Sequence, residues 1–235
     1  MSNKYIFHVH TYRCGHAEMV SDEEYIKKAI ELKADSITFT DHAPFPADPF
    51  NNRMKYSELN EYISTLQALK VKYEDNIAVK IGLEIEYLPS FKSYYEYLKG
   101  LNNLDVLLLG QHFCEIGKDK YLFELDKEEI KRSEYLLCGE AIKEAIGTNL
   151  FEVIAHPDRI FRSKSWDLDC DKISEEIVTL ANKEEIILEK NLSSMKKDNY
   201  YRSEFWDIAK VSKTIYGYDA HRTSEMEMNI NDINV

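Results

Sequence analysis

Apolar positions recur along this chain of 235 residues with two alternating periods, near two and near 3.6. Lys4 to Thr11 reads as a strand in which His8 and His10 share one face and Val9 the other. Tyr25, Ile26, Ala29, Ile30 and Leu32 then form a helical stripe over about 22–33, with Ser21 as its cap and Asp22, Glu23 and Glu24 in its first turn. Ser36–Thr40 is the second strand and ends at Asp41-His42. Pro46, Pro49, Asn51 and Asn52 make 45–55 a loop. A helix from Ser57 to about Tyr73, a strand over 78–86 and a short helix over 91–98 follow. Leu104–Gly110 is a nearly continuous apolar run, broken by Asp105, as a strand covered on both faces would be. Further helices are expected over 127–146, 170–182 and 201–211, and further strands over 150–155, 185–191 and 213–217. Met226, Met228 and Ile230 have strand-like spacing, but the closing stretch from Thr223 receives no element.

Strands and helices alternate without a compositional break, which predicts parallel βα units in a single domain spanning 1–235. About seven strands are counted. An α/β fold of this kind, closed like a barrel, gathers its chemistry at the C-terminal ends of the strands.

That edge holds the reactive residues. The seven histidines, His8, His10, His16, His42, His112, His156 and His221, all sit at strand ends or in the loops just beyond them. Glu84 and Glu86 share a face of the third strand, and Asp219 follows the last. Imidazoles with a few carboxylates suit zinc, iron or manganese better than magnesium or calcium. Clustered divalent metals lower the pKa of a bridging water and bind both oxygens of a phosphate ester, so no nucleophilic side chain is required.

Charge and composition narrow the partners. With 42 acidic against 30 basic residues the net charge is -12, which argues against nucleic acid and anionic membrane. No apolar run approaches the length that spans a bilayer. Cys14, Cys114, Cys138 and Cys170 form no CxxC pair, so reduced thiols in a cytoplasmic protein are expected.

His8-Val9-His10, His16, Thr40-Asp41-His42, Gly82-Leu83-Glu84, His112, Ala155-His156-Pro157 and Asp219-Ala220-His221 together resemble the PHP (polymerase and histidinol phosphatase) phosphoesterases, over residues 8–221. Within them, His10-Thr11, Asp41-His42-Ala43-Pro44, Glu84-Ile85-Glu86-Tyr87 and Gly110-Gln111-His112-Phe113 look most like the stand-alone histidinol-phosphate phosphatases. The resemblance implies a distorted seven-stranded (β/α)7 TIM-like barrel with two to three divalent metal ions (Zn, Mn or Fe). It assigns His8, His10, Glu84 and Asp219 to one metal. A second is shared by Glu84 with His112 and His156, and His16, His42 and His221 hold the third.

The expected reaction is hydrolysis of a small phosphate monoester, L-histidinol phosphate first, by a metal-bridging hydroxide, with Glu84, Asp219 and His221 as catalytic residues. The alternatives are a nucleotide, phosphodiester or phosphotyrosine specificity on the same metals, and a metal-binding regulatory domain without turnover. A phosphate also needs a guanidinium. Arg159 is the first candidate and Arg222 the second, with Arg162, Arg13 and Arg53 behind them. Gln111 before His112 and Arg159 after Asp158 depart from the phosphatase pattern and bear on substrate fit. Asp41 either orients an imidazole or caps a turn, Glu86 either reaches the site or serves as a structural partner, Cys14 reads as a buried thiol before a zinc ligand, and Asn191 is a candidate substrate contact.

Overall fold

The computed structural model describes residues 4–197 and 199–228. The chain runs β1 (Tyr5–Val9), α1 (Asp22–Glu31), β2 (Ser36–His42), α2 (Leu59–Lys72), β3 (Ala78–Ile85), α3 (Lys92–Lys99), β4 (Val106–Leu109), β5 (Glu115–Gly117), β6 (Lys120–Tyr121), α4 (Lys127–Ile146), β7 (Val153–Ile154), α5 (Leu168–Lys183), β8 (Ile187–Asn191), α6 (Ser203–Ile208) and β9 (Thr214–Gly217). Seven strands form one sheet in the order β1-β2-β3-β4-β7-β8-β9, the order of a (β/α)7 barrel, and β5-β6 is a separate antiparallel hairpin. Among the described residues no helix is long and apolar enough to cross a membrane.

Contacts group the chain into two compact units, each discontinuous in sequence. The first comprises the residues up to Glu84, Leu101–Leu107 and those from Tyr216. In it β1 pairs with β2 and β2 with β3, all parallel. The closing contacts belong to the same unit. Tyr218 N–H donates to Phe7 O, Ala220 N–H to His8 O and His10 N–H to Ala220 O, and Val9 bridges Ala220 in parallel. Ile6, Val9, Ile37, Phe39, Ile81 and Leu83 are fully buried strand residues, and Tyr25, Ile26, Ala29, Tyr62 and Leu66 are the buried faces of α1 and α2.

The second unit comprises Ile85–Gly100 and Leu108–Ile215. Here β4 pairs with β7 and β7 with β8, again parallel. Leu108, Leu109, Ile154 and Leu188 are completely buried, as are Cys138, Ala145, Ile177, Phe161 and Phe205.

Several expectations shift on inspection. Ser21 takes the cap conformation before α1, but its hydroxyl makes no capping bond. Asp22, read as a helix-terminus charge, is buried against Arg13. The strand expected over 150–155 is only Val153–Ile154, because Leu150 and Phe151 are buried outside the ladder. The hairpin β5-β6 was not expected, since its strands are too short to show a period. The closing stretch, given no element above, forms a 3-10 turn over Thr223–Glu227 in which Met226 is buried, and Ile230 lies outside the described residues.

Candidate metal centre

A bulge, not the plain alternation of a strand, presents the first pair of ligands. The β1 register passes from Phe7 opposite Thr38 to Val9 opposite Phe39, so His8 is the extra residue, with φ +70°. Asp219 has φ +50° and His156 φ +32°. For residues other than glycine this region costs of order 1–3 kcal/mol, a strain characteristic of functional sites.

Seven of the nine expected ligands lie in the first unit and converge there. His8 Nε2 is 3.4 Å from Glu84 Oε2 and 3.8 Å from Asp219 Oδ1. His10 Nε2 is 3.5 Å from the same Glu84 oxygen and 3.3 Å from the same Asp219 oxygen. His42 Nδ1 is 3.0 Å from Glu84 Oε2, and His221 Nδ1 is 3.7 Å from Asp219 Oδ1. The His10 ring lies 4.4 Å from that of His42 and 4.3 Å from that of His221, while His16 lies 4.6 Å from His221. Potential ligand atoms of His8, His10 and Glu84, of His10, His42 and His221, and of Cys14, His16 and His221 fall within 4.8 Å of one another in each group.

Burial and the neighbouring imidazoles keep these rings unprotonated. Burial first, then repulsion from His42, lowers the pKa of His10 to about 3, and burial with repulsion from His10 lowers that of His221 to about 3. Both are neutral at neutral pH and keep a lone pair. Neither nitrogen of His10, nor Nε2 of His221, has a hydrogen-bond partner. Buried polar atoms left in this way are costly unless something satisfies them. Neutral imidazoles converging on two carboxylates are the donor set of a nitrogen- and oxygen-ligated divalent metal, so the residues fit such an ion.

Supporting bonds hold this set in place. Asp41 takes Thr11 N–H and Thr11 Oγ1 at 2.5 Å each and stands 4.0 Å from His10 Nδ1. It is completely buried, and its pKa is pushed up to about 7 by that burial. The His221 carbonyl accepts from Glu18 N–H and the Tyr25 hydroxyl, and His221 N–H donates to Glu225. Glu18 in turn accepts from Thr223. Cys14 is a buried thiol whose carbonyl faces His16 Nδ1 at 3.0 Å, and burial raises its pKa to about 11.

The remaining two ligands belong to the second unit. His112 and His156 have ring centroids 5.1 Å apart. Glu86 Oε1 lies 2.9 Å from His112 Nδ1, the arrangement by which a carboxylate fixes the tautomer of a ligating imidazole. His156 N–H donates to Glu189, which also accepts from Asn191 Nδ2. Asn191 thus serves the local network, its other end accepting from Ser194 N–H. Arg159 donates to Ser194 Oγ at 2.9 Å and to Asn191 Oδ1 at 3.4 Å and lies over the Tyr200 ring.

The other cations are engaged or remote. Arg162 pairs with buried Glu134. Arg13 pairs with Asp22 and Glu61, and Arg53 donates to Ala43 O and lies over Phe45 and Phe50. Arg222 is exposed. Gln111 is 5% exposed and binds the backbone of Tyr87 and Phe113, which makes it a brace between segments. Glu189 on its expected strand and Thr11 in the His10-Thr11 motif receive no role of their own from sequence. The Glu189-x-Asn191 alternation on a buried strand was the available signal for the former.

Comparison with known proteins places this geometry. A model of the PHP domain matches residues 7–193. A Deinococcus radiodurans protein named "Probable histidinol-phosphatase" is 30% identical over 175 residues, 71% of this chain and 64% of the relative. The histidinol-phosphatase of Bacillus subtilis is 26% identical over 167 residues, 67% of this chain and 62% of the relative, so in both the match spans less than two thirds of the relative's length. The crystal structure of HisK from Listeria monocytogenes superposes with a TM-score of 0.83 at 20% identity, covering 98% of this chain and all of the other. That of histidinol phosphate phosphatase from Lactococcus lactis, complexed with zinc, L-histidinol and phosphate, gives 0.74 at 22% identity, over 98% and 90%. The structural likenesses show a shared fold, and with the domain match across most of its length this chain belongs to the PHP domain family.

Proposed function

We propose that this chain, as a single PHP-type domain over 1–235, is a cytoplasmic, metal-dependent phosphatase that hydrolyses L-histidinol phosphate to L-histidinol and phosphate. The observation that carries the reading is the buried convergence of neutral His10 and His221 with His8, His42, Glu84 and Asp219. The names of the relatives favour the substrate. The four cysteines are unpaired, in keeping with a reducing compartment.

Two or three divalent ions of the zinc, manganese or iron kind, when bound, supply Lewis acidity and a water of lowered pKa. The chain's part is to hold and orient. His8, His10, Glu84 and Asp219 form one ligand set, His16, His42 and His221 another, and His112 and His156 a third position. Glu86 fixes the His112 ring. Arg159, held by Ser194 and Asn191, offers a planar guanidinium to the phosphoryl oxygens, where charge develops. Arg222 is exposed and the second such candidate. Arg162, the remaining candidate, has its guanidinium held by Glu134.

The test is phosphate release from L-histidinol phosphate beside sugar phosphates, nucleotides and phosphotyrosine, with zinc or manganese supplied and then chelated. Metal-dependent turnover preferring histidinol phosphate is expected, with kcat/KM at or above about 10⁴ M⁻¹s⁻¹. His10→Ala and Asp219→Ala should each abolish it with the fold retained. A stronger rate on another ester overturns the substrate, and chelator-resistant turnover overturns the metal dependence.

A further inference from the structure

The 3-10 turn after β1, Tyr12–Cys14, carries an arginine that sequence reading places among the anion binders. The structure gives it other work. Arg13 is 5% exposed. Its Nη1 donates to Asp22 Oδ1 at 2.7 Å, at the start of α1, and to Thr11 Oγ1 at 3.1 Å. Nε and Nη2 donate to the two Glu61 oxygens on α2, each at 3.2 Å. One guanidinium thereby joins both helices to the residue that follows His10.

The direction of the bonds follows from chemistry. A guanidinium has no acceptor, so the Thr11 hydroxyl accepts from Arg13 and its single proton turns to Asp41 Oδ2. Thr11 N–H occupies Asp41 Oδ1. Asp41 is thus fixed by two donors from one residue, with its Oδ1 4.0 Å from His10 Nδ1, within electrostatic reach but beyond a hydrogen bond. The opposite nitrogen of that ring, Nε2, faces Glu84 and Asp219. A carboxylate on the Nδ1 side favours the tautomer protonated there and leaves the Nε2 lone pair for a metal.

We infer that Arg13 is a positioning residue for the metal centre, acting through Thr11 and Asp41 on the ring plane and tautomer of His10. Its guanidinium donates to Asp22, Glu61 and Thr11. The inference rests on the metal-centre reading above.

The experiment is zinc affinity of the full chain, measured without substrate by competition with a chromophoric chelator. Thr11→Val keeps the side-chain shape, removes the hydroxyl link and leaves both carboxylate pairs of Arg13 in place. It should raise the zinc dissociation constant 10- to 100-fold, the usual effect of losing an outer-sphere partner. Thr11→Ser should restore wild-type affinity. Arg13→Met should weaken zinc like Thr11→Val, with partial rescue in Arg13→Lys. Glu61→Gln, which alters only the outer pair, should bind as the wild type does. Wild-type affinity in Thr11→Val overturns the inference, as does a Glu61→Gln loss equal to that of Thr11→Val, which would mark general loosening. If Arg13→Met fails to fold, the threonine pair decides. A wild-type chain that takes up no zinc overturns the metal-centre reading and this inference with it, whereas zinc uptake indifferent to every variant overturns this inference alone.

Discussion

His10 and His221 have opposite counterparts in Asp41 and Asp158, and the two pairs act in opposite senses on the stability of the metal-free chain in acid. Burial holds the two imidazoles near 3, so between about pH 6.5 and 3 the unfolded chain binds more protons, and their contribution to stability is lost as pH falls through that window. Asp158, buried and accepting from Arg202 N–H and Trp206, is pushed up to about 6, and Asp41 to about 7. There the folded chain binds the extra proton, and stability is lost as pH rises from about 3.8 towards those values. Asp158→Asn keeps an acceptor oxygen and removes one opposing term. Between pH 4 and 6 its unfolding free energy should therefore fall towards acid more steeply than the wild type's, by up to about 1.4 kcal/mol per pH unit. Urea titrations in chelator across that range measure the slope, and an unchanged slope contradicts the assignment. At this scale the histidines were legible because they are few and all stand at strand ends. The bonds of Glu86, Glu189 and Thr11 were not, since pairing depends on rotamers and on strands brought together from distant sequence.

Among the elements, β3 shows why Gly82 precedes Leu83-Glu84. A Cβ on Gly82 would lie 2.4 Å from Val106 Cγ1, 2.8 Å from Val106 O and 3.2 Å from Phe39 O. Two of these are backbone atoms of neighbouring strands, which cannot turn aside as a side chain can. Gly82→Ala should cost about 1–3 kcal/mol, the range for overpacking. It should also weaken metal binding, because Glu84 is two residues further along the displaced strand. The urea midpoint and zinc affinity report the two effects, and a wild-type value for both would show that β3 yields freely. Element periods were readable where they were long. The helix expected over 127–146 is α4 residue for residue, aided by Asp126, which accepts from Glu128 and Glu129 N–H at its start. Failures came where packing substitutes for periodicity, as at Leu150 and Phe151, or where an element is only two or three residues long, as in β5 and β6. The bulge at His8 is the subtler case. Alternation correctly paired His8 with His10 on one side, but a regular strand would not have required φ +70°.

For the molecule as a whole, bound metal should be a stabiliser. An ion present at 100 times its dissociation constant adds about 2.7 kcal/mol per site. For a chain of this size that corresponds to roughly 5–11 °C in Tm per site lost on chelation. Thermal scans with zinc and then with chelator measure it, and a Tm indifferent to both would remove the metal from the folded state. The seven-strand plan was legible because βα alternation persists along the chain. What joins its ends, Val9 to Ala220 and His8 to Ala220, is a pairing across more than two hundred residues that no local pattern encodes. That closure has a consequence for synthesis. His8 and His10 leave the ribosome first, and Asp219 and His221 follow only after roughly 210 more residues, about 10–40 s at ordinary elongation rates. For most of that interval the nascent chain carries Glu84 but not Asp219 or His221, so the complete centre takes shape only once the strand after residue 213 has been made and paired with the first.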